Sequence, residues 1–368
     1  MKDSPGHPPN HPRRAATIDD VARVTGFSTA TISRVINKSP KVSQKTRLQV
    51  EIAIRDLAYV PDHAARMLAS NTSRTIGIVV PAIENSSYAT AINALQQRLR
   101  QVGYTLLIST SAYDLELEFE EVQSMVSRGV DGIVLVGGIH KPELIALLKE
   151  REIPYVVTWV ISQEHPCVGF DNRAAGQRIA DHLIELGHTD IAVIASLTST
   201  NDRASARVQG VRDVMALRNL SLPDSHVIGG LGSIAEGKAA MRILLAMEKM
   251  PTAVICLNDA LAFGAILEAR SRGLQLPEEF SIVGFDDLDF ATELSPSLTT
   301  VRVPAHEIGA TAADFLLATI DGTSMPRVLE IPANLVVRAS TAPPLRREPA
   351  AGKARAKAGA RAVHAQLK

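Results

Sequence analysis

A stretch near the amino terminus, GFSTATISRVINK, combines an apolar side with a polar side that suits nucleic-acid chemistry. Ile32, Val35 and Ile36 recur at the spacing that buries one side of a short helix. The opposite side carries small polar residues and one guanidinium, that of Arg34. A guanidinium can donate two parallel hydrogen bonds to O6 and N7 of guanine in the major groove. The stretch therefore predicts a helix that contacts DNA.

The candidate DNA contacts fall into groups by the part of the duplex that each side chain suits. Those placed to meet base edges are Thr29, Ala30 and Arg34. Those whose hydroxyl, amide or ammonium groups suit phosphates are Ser28, Thr31, Asn37, Ser43, Lys45 and Thr46. The remaining candidates are Thr17, Ser33 and His63. The alternative is the solvated face of a helical hairpin that binds no nucleic acid.

Three short helices are predicted to position this face. In TIDDVARVTG, Thr17 and Asp20 have the spacing of a capping box, and Gly26 can take the left-handed conformation that ends a helix. Ser28 caps the next helix, so two helices are joined by a turn of roughly three residues, the signature of a helix-turn-helix. A third helix begins at Ser43. Its apolar residues are Val50, Ile54 and Leu57.

The segment YVPDHAARMLASNTSR predicts a further short helix, with Pro61 in its first turn and Asn71 near its end. A helix of about ten residues is marginal alone in water, so we expect it to order on docking. Apolar side chains on such a helix can wedge between base steps in the minor groove. The alternative is a linker helix that packs on the next domain.

From Thr75 onward, short apolar runs alternate with helical stretches such as NRAAGQRIADHLIELG. This alternation is typical of buried parallel strands joined by helices. The runs predicted as strands are TIGIVVP, YTLLIST, VDGIVLVG, PYVVTW, DIAVIAS, HVIGG, TAVICLND and FSIVGFDD. Ligands of such folds bind beyond the carboxyl ends of the strands, so the residues directly after each run are candidates. They are Asn85 to Tyr88, Ser109 to Ser111, Trp159, Asp171, Asn201 to Arg207, Asn258 with Asp259, and Asp286.

Together these residues suit a hydroxyl-rich metabolite. Their carboxylates, amides and guanidinium groups can pair with hydroxyls, and Trp159 can cover the apolar face of a sugar. Taken singly, each has the alternative role of a helix cap or a solvated loop residue. Asp259 and Asp287 in particular look like caps at helix starts.

The chain resembles the lactose and purine repressor family over about residues 16–340. TIDDVARVTGFSTATISRVINKSPKVSQKTR, AYVPDHAARMLA and TIGIVVP match, in that order, the family's headpiece, hinge helix and first core strand. The resemblance implies an all-α helix-turn-helix headpiece and an α/β core of two lobes with parallel sheets, similar to periplasmic sugar-binding proteins. It implies base-reading positions for Thr29, Ala30 and Arg34, and the position of the intercalating hinge leucine for Leu68.

The resemblance also assigns positions in the cleft between the lobes. Arg207, in ASARVQG, matches the arginine that typically grips the effector, and Asp286, in VGFDD, matches the aspartate on the opposite wall. Asn258, in CLND, matches the first member of the family's asparagine-aspartate pair. Tyr88 lies where the family often has an aromatic residue. These four positions imply a small-molecule effector.

The class of effector is indicated by three further positions. Trp159, in VVTW, resembles regulators of gluconate-type sugar acids, and Arg203 adds charge for a carboxylate. Gly232, near a place where purine-responsive members carry an aromatic residue, argues against a stacked nucleobase. We therefore expect a sugar or a sugar acid such as gluconate. Asp171 completes the effector-binding candidates.

The expected domain organisation follows from these segments. A disordered arm at 1–15 precedes the headpiece at 16–60 and the hinge helix and linker at 61–74. The effector-binding and dimerisation core spans 75–340, and a basic disordered tail occupies 341–368. Within the core, the resemblance implies one lobe of about 75–171 and 303–332 and another of about 172–302 and 333–340.

The net charge of zero conceals an uneven distribution of charge along the chain. Residues 1–74 carry 12 basic and 6 acidic groups, residues 75–340 carry 20 and 32, and residues 341–368 carry 7 and 1. A basic end on an acidic body favours contact of that end with a polyanion. Cys167 and Cys256 lie far apart without a CxxC pattern, which fits a reducing compartment. Neither a secretory signal nor a run of 18 apolar residues occurs, so we expect a cytoplasmic protein with no membrane partner.

Motifs of enzymes are missing: GxGxxG, GxxxxGK[ST], HExxH and GxSxG do not occur, and DDLDF lacks the spacing of a calcium loop. We expect no catalysis, no metal and no cofactor. The tail carries no leucine heptad, which favours a homodimer. The prediction is a sequence-specific repressor of a pseudo-palindromic double-stranded DNA operator, controlled by a small metabolite. The alternatives are a solute-binding module and an architectural DNA binder with a ligand-free core.

Overall fold

The computed structural model describes residues 16–37, 39–60, 72–230 and 232–345. The chain divides into two compact units, Met1–Ser73 and Arg74–Lys368. The predicted arm, the hinge helix with His63 and Leu68, and most of the predicted tail lie outside the described residues.

The described part of the first unit contains the three helices predicted for the headpiece, packed around one small core. They are α1 (Ile18–Thr25), α2 (Thr29–Ile36) and α3 (Gln44–Asp56). The predicted capping box is present, because Thr17 and Asp20 exchange side-chain to backbone hydrogen bonds, and Gly26 ends α1 with a φ of 72°. Ser28 and Ser43 cap the other two helices. The fully buried apolar side chains that hold the helices together are Val21, Ile32, Val35, Val50 and Ala53.

The second unit is an α/β body. Its strands are β1 (Thr75–Val80), β2 (Thr105–Thr110), β3 (Gly132–Val136), β4 (Tyr155–Thr158), β5 (Cys167–Gly169), β6 (Ile191–Ala195), β7 (Val227–Gly229), β8 (Ala253–Cys256), β9 (Ser281–Asp286), β10 (Thr299–Arg302), β11 (Val328–Glu330) and β12 (Asn334–Val336). Its helices are α4 (Ser86–Gln101), α5 (Leu115–Ser127), α6 (Pro142–Glu150), α7 (Asn172–Glu185), α8 (Asp202–Leu217), α9 (Ile234–Leu245), α10 (Asp259–Ser271), α11 (Phe290–Glu293) and α12 (Ala305–Ile320). A 3₁₀ turn spans Asp224–His226.

The strands form two six-stranded sheets. The first has the order β11-β5-β4-β3-β1-β2 and is parallel throughout. The second has the order β12-β10-β9-β8-β6-β7 and is parallel except for β12, which runs antiparallel to β10. We call each sheet with its helices a lobe. The chain leaves the first lobe after β5, returns after β10 and passes to the second again after β11.

All eight predicted strands are present, but four further strands were not predicted. They are β5, β10, β11 and β12, each only three or four residues long. Strands of this length carry too few residues for a periodic pattern to be recognised. The prediction of full burial was wrong for β2 and β7, which are only partly buried. Both lie at the edge of a sheet and so have a neighbouring strand on one side alone.

Glycines allow two pairs of helices in the second lobe to touch backbone to backbone. A Cβ on Gly176 of α7 would overlap the carbonyl group of Arg207 in α8, and one on Gly210 would overlap that of Arg173. Gly237 of α9 meets the carbonyl of Leu261 in α10 in the same way. The α7–α8 contact matters for the site, because it holds the backbone from which Arg207 projects.

Neither a transmembrane helix nor a cluster of metal ligands occurs among the described residues. None of the helices in these ranges is both long enough and apolar enough to cross a bilayer. No group of three or more His, Cys, Asp or Glu side chains in the same part of the chain is arranged to hold a metal ion. Both cysteines are buried and free.

Candidate functional site

The polar side of α2 is exposed where the sequence predicts DNA contacts. Thr29, Ala30, Arg34 and Asn37 are exposed, while Thr31 and Ser33 are half-buried. The apolar side of the same helix is buried, with Ile32 and Val35 in the headpiece core. The helix thus presents one guanidinium and several small side chains to solvent on a surface that a major groove can accept.

The hydroxyl groups at the helix starts already serve the helices. Ser28 Oγ accepts from Thr31 N and lies 3.0 Å from Thr31 Oγ1, and Ser43 and Thr46 repeat this pair at the start of α3 with an Oγ–Oγ1 distance of 2.9 Å. Thr17 Oγ1 donates to Asp20. The amides of Thr31 and Thr46 are therefore already bonded to the capping side chains, while the amino terminus of each helix still favours phosphate oxygens through the helix dipole.

A cavity that is open to solvent lies between the two lobes of the body, and the space within it and at its mouth amounts to about 440 Å³. The first lobe lines it with Asn85, Ser87, Tyr88, Tyr113 and Trp159. The second lobe lines it with Ser196, Asn201, Arg203, Ala204, Arg207, Leu257, Asn258 and Asp286. Most of these residues follow the carboxyl end of a strand, as expected for parallel sheets. Six of the seven effector-binding candidates are therefore brought together.

Arg207 is the most constrained cation of the cavity. Its Nε donates to Asn172 Oδ1 over 2.8 Å, and its Nη1 donates to the carbonyl of Leu257 over 3.1 Å. The guanidinium lies 3.5 Å from the ring centroid of Phe285, a cation–π contact. Burial lowers the pKa of Arg207 to about 10, against the opposing charge of Asp286, so the group stays cationic at neutral pH. These contacts hold the guanidinium in one orientation at the cavity.

Arg203 brings a second cation into the same cavity. It lies one helical turn before Arg207 on α8 and is buried. Its Nη1 donates to Asp202 Oδ1 over 2.9 Å. Two guanidinium groups therefore line one cavity. Arg203 has a carboxylate partner within hydrogen-bond distance, that of its neighbour Asp202.

Three aromatic rings cover the first-lobe side of the cavity. Tyr88 and Trp159 meet edge to face with centroids 4.9 Å apart, and both are buried. Burial raises the pKa of the Tyr113 hydroxyl, which keeps it a neutral donor. Trp159 and Tyr113 have φ values of 65° and 63°, and Asp286 on the other lobe has 117°. A positive φ on residues other than glycine costs free energy and is concentrated at functional sites.

Two carboxyl groups lie on the second-lobe side, that of the half-buried Asp286 and that of the buried Asp259. Burial raises the pKa of Asp286 to about 8, against the lowering influence of Arg207, and Asp259 raises it further. Burial likewise raises the pKa of Asp259 to about 7, against hydrogen bonds from Thr300 and from the amide of Leu288. At neutral pH Asp286 is therefore largely protonated, so it does not neutralise the positive charges of Arg203 and Arg207.

Asn258 and Gly232 meet at the cavity wall. Asn258 caps α10 through Oδ1, which accepts from Leu261 N, and its Nδ2 donates to the carbonyl of Gly232 over 3.0 Å. Gly232 has a φ of 104°, and a Cβ there would approach Asn258 Nδ2 to 2.9 Å and Ser196 Oγ to 2.8 Å. A side chain at position 232 would therefore strain the backbone and require the side chains of Ser196 and Asn258 to move.

Several positions differ from the prediction. Asp171 is exposed and caps α7 by accepting from Ala174 N, and it is not among the residues that line the cavity. Asp259 and Asp287 are not helix caps: Asn258 caps α10, which leaves Asp259 buried beneath the wall, and Asp287 pairs with Arg302 and Arg338. Ser109 and Ser111 also stay outside the lining, and Ser109 donates to Glu121.

Four residues of the site were not predicted: Tyr113, Ser196 and Leu257, which line the cavity, and Asn172, which bonds to Arg207. Ser196 directly follows β6, so the rule used for the other candidates includes it. Tyr113 lies three residues after β2, beyond the predicted range. Asn172 is buried next to the predicted Asp171 and donates to the carbonyl of Trp159 over 2.7 Å. It joins Arg207 of the second lobe to Trp159 of the first.

Two family models match the chain, one on each unit. The family described as bacterial regulatory proteins, lacI family, matches residues 17–62. The periplasmic binding protein-like domain matches residues 180–341. The first match covers the headpiece helices, and the second covers most of the second lobe and the returning segments of the first.

Whole-length relatives are transcription regulators. The chain is 34% identical over 333 residues to the HTH-type transcriptional repressor PurR of Aliivibrio fischeri, covering 88% of this chain and 98% of that one. It is 33% identical over 325 residues to the HTH-type transcriptional regulator GalR of Escherichia coli, covering 88% and 94%. The crystal structure of the lac repressor dimer bound to operator and the anti-inducer ONPF superposes with a TM-score of 0.80 at 27% identity, covering 89% and 100%.

Proposed function

The chain belongs to the lacI family of bacterial regulatory proteins, and from that premise we propose that it represses transcription at a DNA operator and is controlled by a sugar acid. The headpiece supplies DNA recognition and the interlobe cavity supplies effector binding. The observation that carries the effector proposal is the pair of buried arginines, Arg203 and Arg207, that line one cavity together with three aromatic rings. The proposed site of action is the bacterial cytoplasm.

For the DNA half, α2 lies in the major groove. Thr29, Ala30 and Arg34 face base edges, and the capped starts of α2 and α3 face phosphates. We propose a homodimer whose two headpieces meet half-sites of a pseudo-palindrome about one helical turn apart. The assembly of the lac repressor as a dimer on its operator supports this arrangement. Leu68 and His63 keep their predicted DNA contacts in this proposal.

For the effector half, the chemistry of the cavity favours a polyol with one carboxylate. The two guanidinium groups favour a ligand with a negatively charged group, and the largely protonated Asp286 does not compete for them at neutral pH. Asn201, Ser196 and Asn258 offer amides and a hydroxyl to the hydroxyls of the ligand. Trp159 and Tyr88 cover the apolar face of the carbon chain. A six-carbon aldonate such as D-gluconate fits this description.

Effector and operator are coupled through the equilibrium between arrangements of the two lobes. A ligand shifts that equilibrium only if it binds one arrangement more tightly, and the coupling is reciprocal, typically about 1–3 kcal/mol. The effector therefore changes operator affinity by the same factor by which the operator changes effector affinity. The two predicted alternatives, a solute-binding module and an architectural DNA binder, find no support among the relatives, which are transcription regulators.

The decisive experiment has two steps. Selection of bound duplexes from a random pool should enrich one pseudo-palindrome, because base contacts distinguish sequences whereas phosphate contacts do not. A gel-shift series on that duplex with D-gluconate, and with D-glucose as the neutral control, should show an operator affinity that changes with the acid alone. Equal and weak affinity for every duplex would contradict the repressor assignment. A response to D-glucose equal to that to D-gluconate would contradict the sugar acid.

A further inference from the structure

The carboxylate of Asp202 is shared between the cavity and the opposite lobe. Its Oδ1 accepts from Arg203 Nη1 over 2.9 Å, and its Oδ2 accepts from the backbone amide of Gly138 over 2.7 Å. Asp202 is the first residue of α8 in the second lobe, and Gly138 follows β3 in the first. One side chain therefore neutralises a cavity cation and also bonds the two lobes together.

The turn that Asp202 contacts is firmly held by the first lobe. Gly137 donates to the carbonyl of Thr158 over 3.0 Å, and its own carbonyl lies 3.0 Å from Nε2 of His140. Gly137 has a φ of 95°, and a Cβ there would overlap Nη1 of Arg203. The guanidinium of Arg203 therefore lies against this turn as well as against Asp202.

The carboxylate of Asp202 is placed to compete with an anionic ligand for Arg203. A carboxylate that approaches Arg203 from the cavity meets a guanidinium that already has a counter-ion. Two carboxylates close together in a region of low dielectric repel each other, so both cannot hold Arg203 equally well. The entering anion therefore competes with Asp202 for the positive charge of Arg203.

We propose that Asp202 is a built-in competitor of the effector carboxylate, and that its displacement from Arg203 weakens the hydrogen bond to Gly138. The inference rests on the proposed sugar-acid effector and adds a coupling residue to it. Asp202 does not line the cavity and acts through Arg203, so it is a positioning residue. Binding of an anion at Arg203 is thereby linked to the contact between the lobes, whereas binding of a neutral sugar is not.

A second interlobe bond provides a matched control. Thr200 Oγ1 donates to the carbonyl of Tyr113 over 2.7 Å, two residues before Asp202 in the chain. This bond also joins the lobes, but it carries no charge and does not touch Arg203. Thr200→Val removes this interlobe hydrogen bond and a 3.2 Å hydroxyl contact with Thr198, but no charge. Asp202→Asn removes the charge while its amide oxygen can still accept from Gly138.

The experiment measures ligand affinity by the fluorescence of Trp159, the single tryptophan of the chain and a residue of the cavity wall. We expect Asp202→Asn to bind D-gluconate about tenfold more tightly than the wild type, because the competitor has lost its charge. Its affinity for D-glucose should stay within about twofold. Thr200→Val should change the affinities for both ligands by the same factor. Circular dichroism melts of each variant verify folding.

A second readout follows the interlobe bond itself. Amide hydrogen exchange at Gly138 should speed up when D-gluconate is added to the wild type, and D-glucose should not speed it up. Affinity for D-gluconate that is unchanged or lower in Asp202→Asn overturns the inference. If Asp202→Asn gives that result but Arg203→Gln weakens D-gluconate binding, the sugar-acid proposal stands without the inference about Asp202. If neither the wild type nor Asp202→Asn responds to D-gluconate, both the sugar acid and this inference are wrong, while operator selection still tests the repressor assignment.

Discussion

Arg207 and Asn172 are joined by a hydrogen bond of 2.8 Å from Nε to Oδ1, and through it the cavity arginine is oriented by the first residue of α7. The amide group of Asn172 also donates to the carbonyl of Trp159 over 2.7 Å. One buried amide thus connects the cation of the second lobe with the aromatic wall of the first. Sequence reasoning selected its neighbour, Asp171, which faces solvent.

Replacement of Asn172 tests this orientation. Asn172→Ala leaves Nε of Arg207 and the carbonyl of Trp159 without these partners, and a buried unsatisfied group costs about 1–3 kcal/mol. We expect a loss of stability of that size and weaker effector binding. Asn172→Asp keeps an acceptor for Arg207 and should retain more stability than Asn172→Ala. Denaturant melts and Trp159 fluorescence measure the two effects. Equal stability of the wild type and Asn172→Ala would contradict the role assigned to the amide.

Asp171 provides the opposite expectation. Its carboxylate caps α7, and loss of such a cap costs about 0.5–2 kcal/mol. Asp171→Ala should therefore lower the thermal midpoint but leave effector affinity within about twofold of the wild type. Asp286→Ala is the comparison, because Asp286 lines the cavity and should lose affinity. Titration calorimetry measures the effector affinity of both variants. A large loss of affinity in Asp171→Ala would show that Asp171 takes part in effector binding.

Gly176 is expected to be essential for the position of Arg207. Gly176→Ala places a methyl group against the carbonyl of Arg207 and must push α7 and α8 apart. Overpacking of this kind costs about 1–3 kcal/mol. We expect lower stability together with lower effector affinity. Gly237→Ala, which meets the carbonyl of Leu261 in the other helix pair, should cost similar stability with a smaller effect on affinity. Equal losses of affinity in the two variants would contradict a specific role for Gly176.

The pH dependence of effector binding should follow Asp286. Its pKa is raised to about 8, so the neutral form predominates below that pH and an anionic ligand meets no repulsion. Above that pH the carboxylate ionises, and the affinity for D-gluconate should fall by at most about tenfold per pH unit. Asp286→Asn cannot ionise and should flatten the profile between pH 7 and 9. Binding titrations at several pH values in this range measure the affinity for D-gluconate. A wild-type affinity that rises with pH would contradict the expected repulsion by ionised Asp286.

The headpiece contacts divide into two kinds. Arg34→Ala should cost about 1–3 kcal/mol on the selected duplex and relax the sequence preference at one base pair, because a bidentate base contact is lost. Lys45→Ala should weaken binding to all sequences alike and reduce the salt slope by about one. Fluorescence anisotropy at several salt concentrations gives both quantities. If the two variants behave alike, Arg34 contacts phosphate and not a base.

The sequence by itself determined the features that depend on neighbours along the chain. The apolar spacing of Ile32 and Val35 defined the buried side of α2, and the pair Thr17 and Asp20 defined where α1 begins. Such signals act between residues i and i+3 or i+4, so they can be recognised without knowledge of the fold. The alternation of apolar runs and helical stretches likewise identified the class of the body and eight of the twelve strands in the part of the chain that the structure describes.

The tertiary structure decided which polar residues share the cavity. Asp171 and Asn172 are adjacent in the chain, yet only Asn172 is buried, because the direction of a side chain at a helix start depends on how α7 packs on α8. Asp202 and Gly138 are 64 residues apart and meet only because two separate sheets face each other. Contacts of this kind arise from the relative placement of the lobes, for which no local pattern exists in the sequence.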